Sequence, residues 1–214
     1  MLMAGDASVV QPIPFALEFD GTRAGTLADK DGEGTGFTWA QPGVSTLTEY
    51  QPALLDLRTA EGLLYVTTTG NSKNGGPFEG DNSLVNGLQV QFNAATGSFT
   101  INVRLKGPLT NIDTASEQAG ILFGPDQDNY VKLVALGQNA TTPGGPTQFL
   151  QFLDEQQTTA TTWTHALTGS ASMTNIGPFT GIDTLDLSIA GDAATGTLTA
   201  YYRVNGGNQV QLPQ

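Results

Sequence analysis

Apolar and polar residues alternate along much of this chain, and no stretch repeats its apolar residues at the helical period of about 3.6 residues. Alternation is strict in Phe15–Phe19, Leu88–Phe92 and Phe99–Leu105, and Gly62–Thr69 is rich in β-branched and aromatic residues. Alternation sends successive side chains to opposite faces of a strand, so these segments are predicted β-strands. We expect about ten to twelve strands, and no helix beyond one turn near Asn111–Ser116.

Turn-forming residues between these strands predict three β-hairpins and therefore antiparallel pairing. A further strand is predicted at Gln148–Leu153. Stacking two sheets buries the apolar faces of such hairpins, so the predicted fold is all-β, a two-sheet antiparallel β-sandwich of jelly-roll type. The three turns with their flanking strands are Asn93–Gly97 between Leu88–Phe92 and Phe99–Leu105, Gly124–Asn129 between Gln118–Phe123 and Tyr130–Leu136, and Ala190–Gly196 between Leu185–Ile189 and Thr197–Val204.

The chain has 214 residues, with 27 Gly and 11 Pro, a composition that suits short strands joined by many turns. The loop Ala140–Pro146 is the weakest connection, yet the strands on both sides share one pattern, so a single domain over 1–214 is predicted. The start, Met1–Pro14, lacks a basic segment followed by an apolar one. Because the chain also ends just after the strand-like Val210–Gln214, we expect a monomeric domain excised from a larger extracellular or cell-surface protein.

Charge and cysteine content exclude several function classes. Eight Lys and Arg stand against 20 Asp and Glu, a formal charge of −12, which repels nucleic acid and anionic membranes. The absence of Cys excludes thiol catalysis, thiolate metal sites and disulfides. No apolar run approaches the roughly 20 residues of a membrane span. Divalent cations and neutral glycans remain compatible partners.

Three stretches of the second half carry a resemblance to a known family: Ala119–Leu133, Leu185–Ile189 and Leu198–Gly207. Over roughly residues 85–210 the chain resembles the concanavalin A-like lectin and laminin-G-like β-sandwich modules of bacterial extracellular proteins, including carbohydrate-binding modules. The resemblance implies a sandwich fold and glycan binding, calcium-dependent adhesion or a spacer role. The acidic, Gly-rich Asp29–Phe37 departs from the family pattern, so no ligand site is carried over from it.

The segment Asp29–Gly34 places acids at alternating positions beside glycines, an arrangement that can wrap oxygens around Ca²⁺. Calcium takes six to eight oxygen ligands at about 2.3–2.6 Å. The loop is not an EF-hand, because Thr38 stands where the last acidic ligand would be. The alternative is a solvated Gly-rich turn. The candidate calcium ligands are Asp29, Asp31 and Glu33, and the nearby acids that could complete the site are Asp20, Glu79 and Asp81.

Aromatic and polar residues supply a candidate glycan site. Sugar rings stack their CH faces on aromatic side chains, while Asp and Asn bind the hydroxyls. The candidate platforms are Trp39, Tyr50, Tyr130 and Trp163, for which core packing is the alternative. The candidate polar groups are Asp126, Asp128 and Asn129 at a hairpin tip, where a turn that caps its own backbone is the alternative.

Catalytic constellations have little support in the sequence. His165 is the single histidine, too few for a multi-histidine metal site. Glu18-Phe-Asp20 is a Glu-x-Asp pair, but Thr22 and Arg23 follow it, so the third acid of a sandwich-fold glycosidase is missing. The adjacent acids at 154 and 155 would point to opposite faces of a strand.

The sequence therefore predicts a non-catalytic, extracellular carbohydrate-binding module, stabilised by calcium, whose partner is a glycan or cell-surface polysaccharide. One alternative is a structural or adhesion module of a large surface protein, without a small ligand. A second alternative is a glycoside hydrolase or polysaccharide lyase of the same fold.

Overall fold

The computed structural model describes residues 10–40, 50–68, 85–113, 117–126, 128–138, 147–159, 162–164 and 173–213. Within these ranges the chain forms fifteen β-strands, two short 3-10 turns at Pro52–Leu54 and Ala94–Thr96, and no α-helix. The prediction of an all-β protein built mainly from antiparallel sheets is confirmed. The predicted helical turn near Asn111–Ser116 lies partly outside the described residues. The loop Ala140–Pro146 lies entirely outside them.

The chain divides into two compact units, 1–93 and 94–214. The predicted single domain over 1–214 stays a prediction. The described residues of the first unit form six short strands, which pair as β1 with β6 in parallel, and as β2 with β5 and β3 with β4 antiparallel. Their bounds are β1 Val10–Gln11, β2 Trp39–Ala40, β3 Leu55–Arg58, β4 Leu63–Val66, β5 Leu88–Gln89 and β6 Gln91–Phe92.

A small apolar cluster forms the core of the first unit. Leu27, Ala40, Tyr50 and Leu55 are buried in it. Phe37, Leu64 and Leu88 pack against this cluster while remaining partly exposed. The cluster therefore gathers residues from β2, β3, β4 and β5 together with the loop segment around Leu27.

Two sequence predictions fail in the first unit. Phe15–Phe19 keeps an alternation of half-buried and exposed residues, but it pairs with no described strand. Its extended backbone ends at Phe19, whose φ of 55° lies in the left-handed region that a strand cannot use. Leu88–Phe92 is not one arm of a hairpin with Phe99–Leu105 either. It splits into β5 and β6, which pair with β2 and β1, and the predicted turn contains a 3-10 turn instead.

In the part of the second unit that the structure describes, nine strands form two antiparallel sheets. Strands β8, β9, β10 and β11 follow one another in the first sheet, and β12 also pairs with β10. The second sheet has the order β15, β14, β13, β7. The bounds are β7 Ser98–Lys106, β8 Gln118–Asp126, β9 Asn129–Gly137, β10 Gln148–Thr159, β11 Thr162–Thr164, β12 Met173–Thr174, β13 Thr184–Asp192, β14 Thr197–Val204 and β15 Val210–Gln211.

The other two predicted hairpins are confirmed as β8–β9 and β13–β14. Both sheets contribute to one apolar core in this unit, in which Phe179 is fully buried. Burial alternates along the whole of β13, as the period of two requires. The five-stranded sheet supplies Ile121, Leu133, Ala135, Leu150 and Phe152 to this core, and the four-stranded sheet supplies Leu185, Leu187, Ile189 and Ala200.

Strand β9 is unusual in being buried on both faces. Leu133 and Ala135 belong to the core shared by the two sheets. The residues that alternate with them are also buried, although the core does not contain them: Tyr130, Lys132, Val134 and Leu136. A strand that is buried on both faces has a nearly continuous run of apolar residues. This explains why β9 is almost entirely apolar from Tyr130 to Leu136.

Candidate functional site

The predicted calcium loop is a tight turn in the first unit. Ala28 and Gly34 form an isolated antiparallel bridge. The backbone N–H of Asp29 donates to the carbonyl of Glu33 at 2.8 Å. Gly32 occupies the tip with a φ of 85°, a conformation that only glycine adopts without strain. The acid-glycine alternation thus encodes a closed turn.

Asp29 fixes this turn to strand β3 from a position that is only 3% exposed. Its Oδ1 accepts hydrogen bonds from the N–H groups of Asp31 and Glu33, both at 2.9 Å. Its Oδ2 accepts one from the N–H of Leu57 at 2.8 Å. Burial alone raises the pKa of Asp29, but these three bonds, helped by the charge of Lys30, outweigh it and hold the pKa below its ordinary value.

The carboxylate oxygens of Asp29, Asp31 and Asp56 lie within 4.8 Å of one another. The sequence analysis named the first two and missed Asp56, which β3 brings beside the loop. The available signal was the alternation Leu55-Asp-Leu-Arg58, which predicts that Asp56 points away from the buried leucines.

Among the described residues, the other predicted calcium ligands, Asp20 and Glu33, do not join this triad. Glu33 is half-buried and contributes its backbone N–H to Asp29. Asp20 is exposed. Glu79 and Asp81 lie outside the described residues.

Two cationic side chains, Lys30 and Arg58, already form ion pairs with members of the acidic triad. Lys30 Nζ lies 2.5 Å from Asp31 Oδ2 and 3.4 Å from Asp56 Oδ1, and Arg58 Nε lies 2.9 Å from Asp56 Oδ2. The hydrogen bond from Arg58 holds the pKa of Asp56 below its ordinary value, although desolvation opposes it. The bond to Asp31 likewise raises the pKa of Lys30. A metal ion bound here would displace these side chains.

The predicted aromatic platforms fall in both units. Trp39 is half-buried on β2, and Trp163 lies on β11 in register with Gln157. Tyr50 is 7% exposed and its hydroxyl donates to the carbonyl of Ala28. Tyr130 is 3% exposed. Stacking on a sugar needs an exposed ring face, so the burial of the two tyrosines is explained by packing.

The polar residues at the tip of the β8–β9 hairpin bind their own backbone and each other. Asp126 Oδ1 accepts the N–H of Asp128 at 2.8 Å and Asn129 Nδ2 at 3.0 Å. Asn129 Oδ1 accepts the N–H of Gln157 on β10 at 3.2 Å. These bonds have the pattern of a self-capping turn.

A second polar surface, missed by the sequence analysis, covers the side of the four-stranded sheet opposite its core. It is called the polar sheet face here and consists of Asn102 and Arg104 on β7, Asp186 and Ser188 on β13, and Tyr201 and Arg203 on β14. Asp186 lies opposite both arginines, and Ser188 lies opposite Asn102 and Tyr201. The sequence contained a signal for this surface, because every second residue of these strands is polar or amphipathic and therefore predicted to face away from the core.

Hydrogen bonds hold four side chains of the polar sheet face, those of Arg104, Asp186, Ser188 and Asn102. Arg104 forms a two-point ion pair with Asp186, with Nε at 2.6 Å from Oδ1 and the terminal nitrogen at 2.9 Å from Oδ2. This bond, opposed by burial and helped by Arg203, keeps the pKa of Asp186 below its ordinary value. Ser188 Oγ donates to Asn102 Oδ1 at 2.7 Å. The side chain of Arg104 stays 64% exposed.

The candidate catalytic residues do not converge in the described parts of the chain. Glu18 and Asp20 lie exposed in an unpaired segment. Asp154 and Glu155 lie on successive positions of β10, opposite Val131 and Tyr130, and therefore on opposite faces. His165 lies outside the described residues.

Comparison with known protein families, curated proteins and solved structures found no match to this chain. The resemblance to concanavalin-like modules therefore stays a prediction. Among the described residues, no helix combines the length and apolarity needed to cross a membrane.

Proposed function

We propose that this protein is a non-catalytic, extracellular carbohydrate-binding module that holds a neutral glycan on the polar sheet face. The observation that supports the proposal is the set of fixed polar groups around Tyr201 on the solvent side of three long, paired strands. The shared core of the two sheets further supports a concanavalin-like, jelly-roll sandwich for residues 94–214.

The chemistry of the polar sheet face suits a sugar. Hydroxyl, amide, guanidinium and carboxylate groups both donate and accept hydrogen bonds, as sugar hydroxyls require. The half-buried ring of Tyr201 offers an apolar surface beside Ser188 and Asn102. The ion pair between Arg104 and Asp186 holds two of these groups in place before any ligand arrives, which lowers the entropy lost on binding.

A binding screen on polysaccharides tests this proposal. Tyr201→Ala and Arg104→Ala should each weaken retention on the bound glycan by about ten-fold, equivalent to about 1.4 kcal/mol. Tyr65→Ala is the matched control, because Tyr65 is an exposed tyrosine, 42% accessible, on β4 of the other unit. The control should bind like the unchanged protein, with circular dichroism confirming that every variant is folded.

Three outcomes would redirect the proposal. Equal retention of all three variants would move the site away from the polar sheet face, and Trp39→Ala and Trp163→Ala would then be compared. Absence of retention on every glycan would favour a structural or adhesion module. Release of reducing sugar would favour a glycoside hydrolase or lyase.

A calcium ion in the acidic loop is a second proposal, supported by the closeness of Asp29, Asp31 and Asp56. Calcium would be held by carboxylate oxygens and would replace the contacts of Lys30 and Arg58. Millimolar calcium should raise the melting temperature relative to chelator, and Asp56→Asn should abolish that increase. Equal melting temperatures in calcium and chelator would remove the proposal and leave an acidic turn balanced by its own cations.

A further inference from the structure

A lysine amine and a glutamine amide meet on the buried outer face of the β8–β9 hairpin, the face turned away from the core shared by the two sheets. Lys132 is 4% exposed, and its Nζ lies 3.0 Å from Oε1 of Gln118. Lys132 stands opposite Leu122, and Gln118 stands opposite Leu136, so the two side chains approach diagonally across the hairpin. Gly120, between Gln118 and Leu122 on the same face, has no side chain to separate them.

A buried carboxyl group shares this face. Glu155 is 0% exposed and stands opposite Tyr130 on β10, while Lys132 stands opposite Leu153. Glu155 and Lys132 are thus diagonal neighbours across the β9–β10 pair, and their charges interact. Lys132 therefore lies between the amide and the carboxyl group, with Gln118 towards one end of the paired strands and Glu155 towards the other.

We propose that Lys132 and Gln118 become joined by an intramolecular isopeptide bond. The lone pair of Lys132 Nζ attacks Cδ of Gln118 and forms a tetrahedral carbon. Collapse of that carbon breaks the bond from Cδ to Nε2, and the side-chain nitrogen leaves as ammonia. One N–C bond forms, one N–C bond breaks, and no oxidant, reductant or further reactant is needed.

The surroundings favour the reactive form of each group. Burial lowers the pKa of Lys132 to about 8, against the opposing effect of Glu155, so a far larger share of the amine is neutral near pH 7 than in an exposed lysine. The proton that the attacking amine loses passes to the departing nitrogen, which leaves as ammonia. The inference is independent of the proposed glycan binding, since the polar sheet face lies on the other sheet.

Mass spectrometry of the purified, folded protein tests the proposal directly. The expected intact mass is that of the sequence less one ammonia. Chymotrypsin should then release a branched peptide in which the segment containing Gln118 is joined to the segment containing Lys132, because Phe123 lies between them. An intact mass equal to that of the sequence, with both segments recovered separately, would overturn the proposal and leave an ordinary buried hydrogen bond.

Asparagine chemistry is the main confounder, because an Asn-Gly pair that forms a succinimide also loses one ammonia. Asn74, Asn86 and Asn205 each precede a glycine. A succinimide reopens in mild alkali and joins no two peptides. A gain of one water in alkali, which opens the succinimide to aspartate or isoaspartate, without a branched peptide would therefore count against the isopeptide bond.

Variants assign the cross-link to its residues. Lys132→Arg should abolish the branched peptide completely, whereas Lys106→Arg, a change at an exposed lysine on β7, should leave it intact. A branched peptide that persists in Lys132→Arg would show that the cross-link involves other residues.

Discussion

At the scale of single residues, Asp29 shows what a local sequence pattern can and cannot reveal about a side chain. The sequence predicts oxygen ligands for calcium in this loop, and in the structure Asp29 is a buried acceptor of several hydrogen bonds. Its donors are backbone N–H groups of its own turn and of β3. The donor from Leu57 is distant in sequence, which no local pattern reveals.

Removing the Asp29 carboxylate should destabilise the protein. Asp29→Ala leaves three backbone N–H groups without their acceptor, so we expect the free energy of unfolding to fall by about 2–4 kcal/mol. Asp31→Ala, at an exposed acid two residues away, should change it by less than about 0.5 kcal/mol. Urea unfolding followed by circular dichroism measures both, and equal losses would contradict the anchoring role of Asp29.

The same carboxylate should make stability depend on pH. The pKa of Asp29 is lower in the folded state than the unfolded value of about 3.9, so its contribution is complete above that value and is lost as the pH falls through the folded pKa. The difference in unfolding free energy between the unchanged protein and Asp29→Ala should therefore shrink on acidification below about pH 4. Urea titrations at a series of pH values test this. A difference that stays constant down to the acid transition would contradict it.

Gly34 is required because the backbone of Arg23 passes close to it, a contact that the sequence does not predict. A Cβ at this position would lie 2.0 Å from the carbonyl oxygen of Arg23, which belongs to the backbone and cannot rotate away. Gly34→Ala should therefore lower the free energy of unfolding by about 1–3 kcal/mol. Gly21→Ala is the control, since a Cβ there meets nothing within 4 Å. Thermal unfolding of the two variants should separate them, and similar melting temperatures would refute the steric argument.

At the scale of elements, strand length decided what could be predicted. The long strands β8, β9, β13 and β14 carry enough alternation to be recognised, and their hairpin partners are adjacent in sequence. Strands β1, β2, β5 and β6 have two residues each, too few to show a period, and their partners lie far along the chain. The pairing of β7 with β13 is likewise long-range, which explains why the first hairpin was predicted wrongly.

Because burial alternates along β13, substitutions on its two faces should have different effects on stability. Leu187 is fully buried in the shared core, whereas its neighbour Ser188 lies on the polar sheet face. Leu187→Ala should lower the free energy of unfolding by about 2–5 kcal/mol, through lost burial and the cavity left behind. Ser188→Ala should cost less than about 1 kcal/mol, since it removes one exposed hydrogen bond. Chemical denaturation of the pair checks this, and a reversed order would mean that the faces of the strand are assigned wrongly.

At the scale of the whole molecule, the two compact units each contain one tryptophan, Trp39 in 1–93 and Trp163 in 94–214. This distribution allows the predicted single domain to be tested. In Trp39→Phe and in Trp163→Phe, the remaining tryptophan reports one unit, while circular dichroism reports all strands. If the chain folds as one domain, the fluorescence and circular dichroism midpoints should coincide within each variant. Separate midpoints would show that the two units unfold independently.

The double burial of β9 has a consequence for the chain before it folds. A segment that must be apolar on both faces becomes, in the unfolded protein, an exposed β-prone run able to stack with copies of itself. Lys132 is the one charge between Tyr130 and Leu136 and sits in the middle of that run. Charges in such positions oppose self-stacking, so we expect Lys132 to slow the aggregation of unfolded chains. The residue that is costly to bury in the folded strand would then be the one that opposes association before folding.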